Sequence, residues 1–257
     1  MAAPRLKVDE WQEKFLDAIS DNKRIDDFSF RAALRDIGDG KSSSATFMRG
    51  LAYCAYGNFD TGLDILSRDL YVGDATYARV YCFLLEWTNN FVELEKVVFV
   101  LADMHKTKWL FFKAASVAYA LGQLEKLEDS MDKFIKMLSE DEGRDDAKEL
   151  LQESIADISN VYKKQLCTPE QLKLLGFTVH GIMSKLQKGV PSAISISADP
   201  AVGYLVDLEN ASPEEIASLN VELAEVICSM AVFDDCDIIA RFSWPVKRNA
   251  GASYVYP

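Results

Sequence analysis

The sequence predicts a mainly α protein in which an array of helical hairpins, residues 1–188, precedes a small α+β unit, residues 189–257. Three observations carry this reading. From residue 8 to residue 188 apolar residues recur three and four positions apart, and Gly, Asn or Asp interrupts each run, which is the signature of successive amphipathic helices. Three turn triplets, Gly57-Asn58-Phe59, Asn89-Asn90-Phe91 and Gly122-Gln123-Leu124, stand 32 and then 33 residues apart between such runs. After Gly189 the pattern shifts to alternation and β-branched stretches, which are strand signals.

Taken in order, the first hairpin uses Trp11, Phe15, Leu16 and Ile19 on one helix and Phe28, Phe30, Ala33 and Leu34 on a shorter second one, with Ser20 to Lys23 between them. The three triplets then mark three hairpins within residues 43–139. Gly and Asn accept a left-handed turn at the least steric cost, so a turn needed once per unit recurs with the unit.

Residues 43–74 resemble the tetratricopeptide repeat. Gly50 stands at the small position of the first helix, Tyr53 at the aromatic position, Gly57 in the turn, Phe59 at the following aromatic and Gly62 at the small position of the second helix. Residues 75–107 keep Phe91 and the ladder Leu94, Val98 and Leu101, with Cys82 at the small position and Leu85 at the aromatic one. Residues 108–139 keep Ala115, Gly122, Leu124 and Phe134, with Ala118 and Leu127 as departures, and the terminal proline of the repeat is missing from all three units. The resemblance implies an antiparallel, tetratricopeptide-like solenoid, because small residues let paired helices approach while aromatics fill the gap to the next pair.

Two longer helices are expected near 145–165 and 169–188, the second started by Thr168, Pro169 and Glu170: a capping hydroxyl, a first-turn proline and an acid at the positive helix end. The acidic stretch from Glu140 to Glu149 reads as a solvated cap or loop. Beyond Gly189, Ala193–Ser197 and Val202–Leu208 read as strands, Ser212-Pro213-Glu214-Glu215 opens a helix to Met230, Cys236–Trp244 is a third strand, and Pro245–Pro257 is a loose tail. A sheet this small must lean on the helices, dimerise or add to a partner's strand.

Composition narrows function. Hydrophobic residues at 49% and charged residues at 26% exclude a disordered chain. Forty acidic against 28 basic residues give a net charge of -12, a field that repels phosphate backbones and argues against nucleic acid as a ligand. The N-terminal residues lack the apolar run of a secretory signal, and no stretch reaches ~18 apolar residues, so a cytoplasmic protein without membrane spans is expected. Five widely spaced cysteines, Cys54, Cys82, Cys167, Cys228 and Cys236, suit reduced, buried thiols better than a disulfide framework, and the nearest pair in sequence is Cys228 and Cys236.

No catalytic signature stands in the sequence. His105 and His180 are 75 residues apart, and phosphate loops, dinucleotide turns, paired-histidine zinc spacings and nucleophile elbows are missing, so neither a cofactor nor a metal is expected. Asp199, Asp207 and the Asp234, Asp235 and Asp237 turn sit near strand ends, where carboxylates serve either magnesium chemistry or the turns themselves.

The resemblance supplies a candidate site, since in such arrays the first helix of each hairpin lines the concave face. Its inward positions fall on Phe47, Leu51 and Cys54, then Arg79, Phe83, Glu86 and Trp87, then Trp109, Phe112, Ser116 and Tyr119. Aromatic rings beside one Arg match the composition of protein-binding hot spots. The reading that follows is an adaptor, chaperone or neutralising partner holding an apolar or basic segment of another protein, if that face is an open groove and not a filled core. The competing readings are a small C-terminal enzyme or ligand-binding domain using the strand-end carboxylates, and an acidic mimic of nucleic acid that inhibits a basic enzyme.

Overall fold

The computed structural model describes residues 4–186, 193–199, 203–209 and 211–244. Gly189, Val202 and the tail 245–257 lie outside them. Among the described residues the chain forms eleven α-helices and a three-stranded sheet, grouped in two compact units, Met1–Thr88 and Asn89–Pro257.

The first unit holds α1 (Pro4–Ser20), α2 (Asp27–Ile37), α3 (Ser43–Tyr56), α4 (Phe59–Arg68) and α5 (Ala75–Trp87). Four of these helices begin at a side-chain cap: Asp26, Ser42, Asn58 and Asp74 accept from the backbone N–H of Ser29, Ala45, Thr61 and Tyr77, satisfying donors that a helix start leaves orphaned. Helix α3 is central, packing on α1, α2 and α4, and Phe15, Ile19, Ala33, Met48, Leu51 and Leu66 form the core around it. Phe28 is the exception to the predicted apolar face: it is exposed, because it precedes Ala33 by five residues and lies far round the helix from that buried position. Phe30 instead stacks on Tyr56 at 4.4 Å and meets Tyr53 edge-on at 5.1 Å.

Two glycines set how closely α3 and α4 approach. A Cβ at Gly62 would stand 2.3 Å from Cys54 Sγ and 2.8 Å from the Gly50 carbonyl oxygen, and one at Gly50 would meet Leu66 at 2.5 Å. The contact is backbone against backbone, which no larger residue permits. The three turn anchors read from the sequence share one conformation: Gly57, Asn89 and Gly122 have φ of +95°, +52° and +64°. After the first two, Asn58 and Asn90 cap the next helix.

The second unit holds α6 (Phe91–His105), α7 (Lys108–Ala120), α8 (Leu124–Met137), α9 (Arg144–Lys163), α10 (Pro169–Met183) and α11 (Pro213–Ser229). Helices α6, α7, α8 and α9 pack in succession, and α10 returns onto α6. Glu140–Glu142 form a single turn capped by Ser139, and Gly143, at φ +76°, leads into α9. Thr168 starts α10 with a reciprocal cap from Gln171 and Pro169 in the first turn, and Ser212 starts α11 the same way with Glu215 and Pro213.

The sheet has the order β1 (Ala193–Ile196), β2 (Tyr204–Asp207), β3 (Ala240–Ser243), with β1 antiparallel and β3 parallel to β2. Tyr204 pairs with Ile196 on one side and Ala240 on the other. Parallel pairing requires a crossover, and α11 supplies it. The third strand is shorter than Cys236–Trp244 because Asp237 turns its N–H to the Leu166 carbonyl instead of to a strand. The sheet leans on the helices: β2 is wholly buried, and the Tyr204 hydroxyl donates to the Ala120 carbonyl at 2.9 Å. Its edges are also engaged. Ile196 N–H donates to the Tyr119 hydroxyl at 3.0 Å, while the Asn220 amide bonds both the N–H and the carbonyl of Phe242, at 2.7 and 3.0 Å.

The close α3–α4 crossing predicts that Gly62→Ala lowers stability by about 2 kcal/mol. Gly181, on α10, has open space around it, so Gly181→Ala raises stability by roughly 0.5 kcal/mol. Denaturant unfolding of both variants checks the contrast.

Candidate functional site

The candidate residues fall into two sets. Phe47, Leu51, Cys54, Arg79, Phe83, Glu86 and Trp87 belong to the first unit; Trp109, Phe112, Ser116 and Tyr119 belong to the second. In the first, Phe47 and Leu51 are interior, at 7% and 0% exposure. Phe47 packs against Tyr77 with ring centroids 5.0 Å apart, and the Tyr77 hydroxyl donates to the Leu66 carbonyl at 2.7 Å. Cys54 is sealed at the glycine crossing, where burial pushes its thiol up to about 12.

Helix α5 presents two unlike sides. Tyr77, Ala78, Val80, Tyr81, Cys82, Leu84 and Leu85 are buried, whereas Arg79 is exposed and Phe83, Glu86 and Trp87 are half-buried. Spacings of four, three and one put those four residues on one face. The rings of Phe83 and Trp87 lie 5.9 Å apart at 38°, an edge-tilted pair.

On α7, Trp109 is half-buried with the Lys113 ammonium 5.5 Å from its ring, and Phe112 packs on the buried Phe134 at 5.1 Å. The exposed Ser116 donates to the Phe112 carbonyl at 2.9 Å. Tyr119 fastens α7 to the sheet and to α9, since its hydroxyl accepts from the Ile196 N–H and donates to Asp157 at 3.3 Å. Burial, followed by the Asp157 charge, raises its pKa.

Three further arrangements have no signature in the sequence. The Glu95 carboxylate on α6 receives, on one oxygen, Gln123 Nε2 at 3.1 Å, Lys126 Nζ at 3.0 Å and Lys173 Nζ at 3.1 Å. Burial opposes its ionisation, but those three donors hold it down at about 2. His180 on α10 is 2% exposed and stacks on Phe91 at 3.6 Å and 3°, with neither ring nitrogen hydrogen-bonded among the described residues. Burial lowers it to about 3. Cys167 and Cys236, 69 positions apart in sequence, are brought side by side where the Asp237 N–H meets the Leu166 carbonyl, whereas Cys228 is exposed on α11. Thus Cys54, Cys82 and Cys167 are the buried thiols, and the expectation of burial fails for Cys228 and for the partly exposed Cys236.

Of the strand-end carboxylates, Asp207 is buried on β2, while Asp199, Asp234, Asp235 and Asp237 are exposed. Among the described residues no three His, Cys, Asp or Glu side chains are grouped to hold a metal ion, and no helix is long and apolar enough to cross a membrane. Compared with family models, curated proteins and solved structures, the chain matches none.

His180 makes stability depend on pH. The folded imidazole stays neutral to about pH 3, while the unfolded one takes a proton near its ordinary 6.5, so each unit of acidification below about 6.5 favours the unfolded chain. Between pH 7 and pH 4.5 this contributes roughly 2–3 kcal/mol of destabilisation. His180→Leu removes no hydrogen bond among the described residues, and its urea-unfolding stability should fall less over that range, by about that amount, than that of the native chain.

Proposed function

We propose that the chain is a tetratricopeptide-like hairpin protein that binds another protein, acting as an adaptor, chaperone or neutralising partner. The observation that supports this is the α5 face, where Phe83 and Trp87 remain half-buried beside the exposed Arg79 on a helix whose other side is fully packed. Paired rings beside a guanidinium are the chemistry of interface anchors, and a helix face of this kind fits an apolar helix or an extended segment. Trp109, with its neighbouring Lys113, offers a second aromatic anchor on α7.

The net charge of -12 favours a basic segment over an acidic one, speeding encounter and rejecting like-charged chains. Phe47, Leu51 and Tyr119 contribute by holding their own helices in place.

Affinity purification with the intact chain supplies the partner, and titration calorimetry with the purified pair then measures the anchors. Trp87→Ala and Trp109→Ala should each weaken binding by about 2 kcal/mol. Unchanged affinity in a folded double variant overturns the reading.

A further inference from the structure

The loop joining α9 to α10 and the loop entering β3 are stitched together at three places. Asp237 N–H donates to the Leu166 carbonyl at 2.7 Å, and Gln171 Nε2 donates to the Val232 carbonyl at 2.7 Å. Between these two bonds stand Cys167 and Cys236, whose thiols interact electrostatically. The backbone bond joins the residue before Cys167 to the residue after Cys236, so the two cysteines are held side by side by their immediate neighbours.

The two sulfurs are not equivalent. Cys167, just ahead of the Thr168 cap, is buried, whereas Cys236 is partly exposed. Cys167 is raised by its interaction with Cys236 and by burial, so its thiol holds its proton more firmly. The same interaction lowers Cys236, against the effect of burial, and the Ile238 backbone assists. A reachable cysteine with a buried one directly beside it is the arrangement that thiol–disulfide exchange requires.

We propose that Cys236 and Cys167 form a thiol–disulfide exchange site, Cys236 attacking and Cys167 resolving, with a low-molecular-weight disulfide of the glutathione class as the oxidant. In the first step the Cys236 thiolate bonds to one sulfur of the small disulfide, whose S–S bond breaks and releases one thiolate. In the second, Cys167 gives up its proton, bonds to Cys236 and displaces the other small thiolate, which takes that proton. Two protein thiols lose two electrons, and one small disulfide becomes two thiols. The new bond ties the start of α10 to the segment entering β3, closing a loop of about 70 residues, which stabilises chiefly by restricting the unfolded chain.

The test uses the reduced full chain with oxidised glutathione at neutral pH, followed by alkylation and peptide mass spectrometry. The expected product is a Cys167–Cys236 link reversed by dithiothreitol, with a melting point raised by roughly 5 °C or more. Cys167→Ala should halt the reaction at a glutathione adduct on Cys236. On the native chain, without any substitution, the rate of Cys236 alkylation should have its pH midpoint below that of an ordinary thiol. The proposal is overturned if the folded chain forms no such link, or if Cys228 takes up glutathione in preference to Cys236.

Discussion

The turn from Ala120 to Gln123 is met from several directions, and the second unit is organised around it. The Ala120 carbonyl accepts from Tyr204 of the central strand, the Gly122 carbonyl accepts from Tyr162 of α9 at 2.7 Å, and the Gln123 amide reaches Glu95 of α6. Helix α10 presses on the same turn through Gly176, whose missing side chain leaves room for the Ala120 carbonyl, and through Leu172 beside Gly122. A helix end normally leaves carbonyls without partners. Here those carbonyls are the attachment points for a strand and another helix, so satisfying the end of α7 and assembling the unit are one event. The left-handed φ of Gly122 is what turns its carbonyl toward Tyr162 while α8 departs.

Glu95 extends the arrangement by electrostatics. Its single acceptor oxygen gathers donors from α8 and α10 onto α6, and α6 meets α10 again where Phe91 lies flat on His180. The two contacts differ in kind. The carboxylate keeps its charge because charged donors surround it, whereas the imidazole gives up its charge because it is buried against Phe91 with no hydrogen-bond partner among the described residues. Burial is tolerated in both cases only through the choice of ionisation state.

Much of the helical part is legible in the sequence because it rests on short-range rules. The triplets at Gly57, Asn89 and Gly122 announce left-handed turns, and Thr168-Pro169 and Ser212-Pro213 announce helix starts, each through residues adjacent in sequence. The small residues at Gly50 and Gly62 can be read as a close crossing for the same reason. Phe28 is misplaced by that reading because periodicity identifies an apolar residue without guaranteeing which side of a short helix it occupies. Of the candidate site, helical spacing gathers Arg79, Phe83, Glu86 and Trp87 on one face but does not distinguish them from Phe47 and Leu51, whose burial depends on neighbouring helices. Glu95 with Lys173 and Cys167 with Cys236 join residues far apart in the chain. Pairings of that length leave no periodic trace in a single sequence.

The Asn220 amide has one further consequence. By matching both the N–H and the carbonyl of Phe242, a side chain plays the part that an adjoining strand would play, and on the opposite border of the sheet the Tyr119 hydroxyl takes up the Ile196 N–H. A β-prone segment of a neighbouring molecule would have to evict these groups before it could pair there. Three short strands, ordinarily a nucleus for intermolecular growth, are thereby made self-limiting at those positions. In crowded solution this guards against fibrous assembly at the level of individual hydrogen bonds.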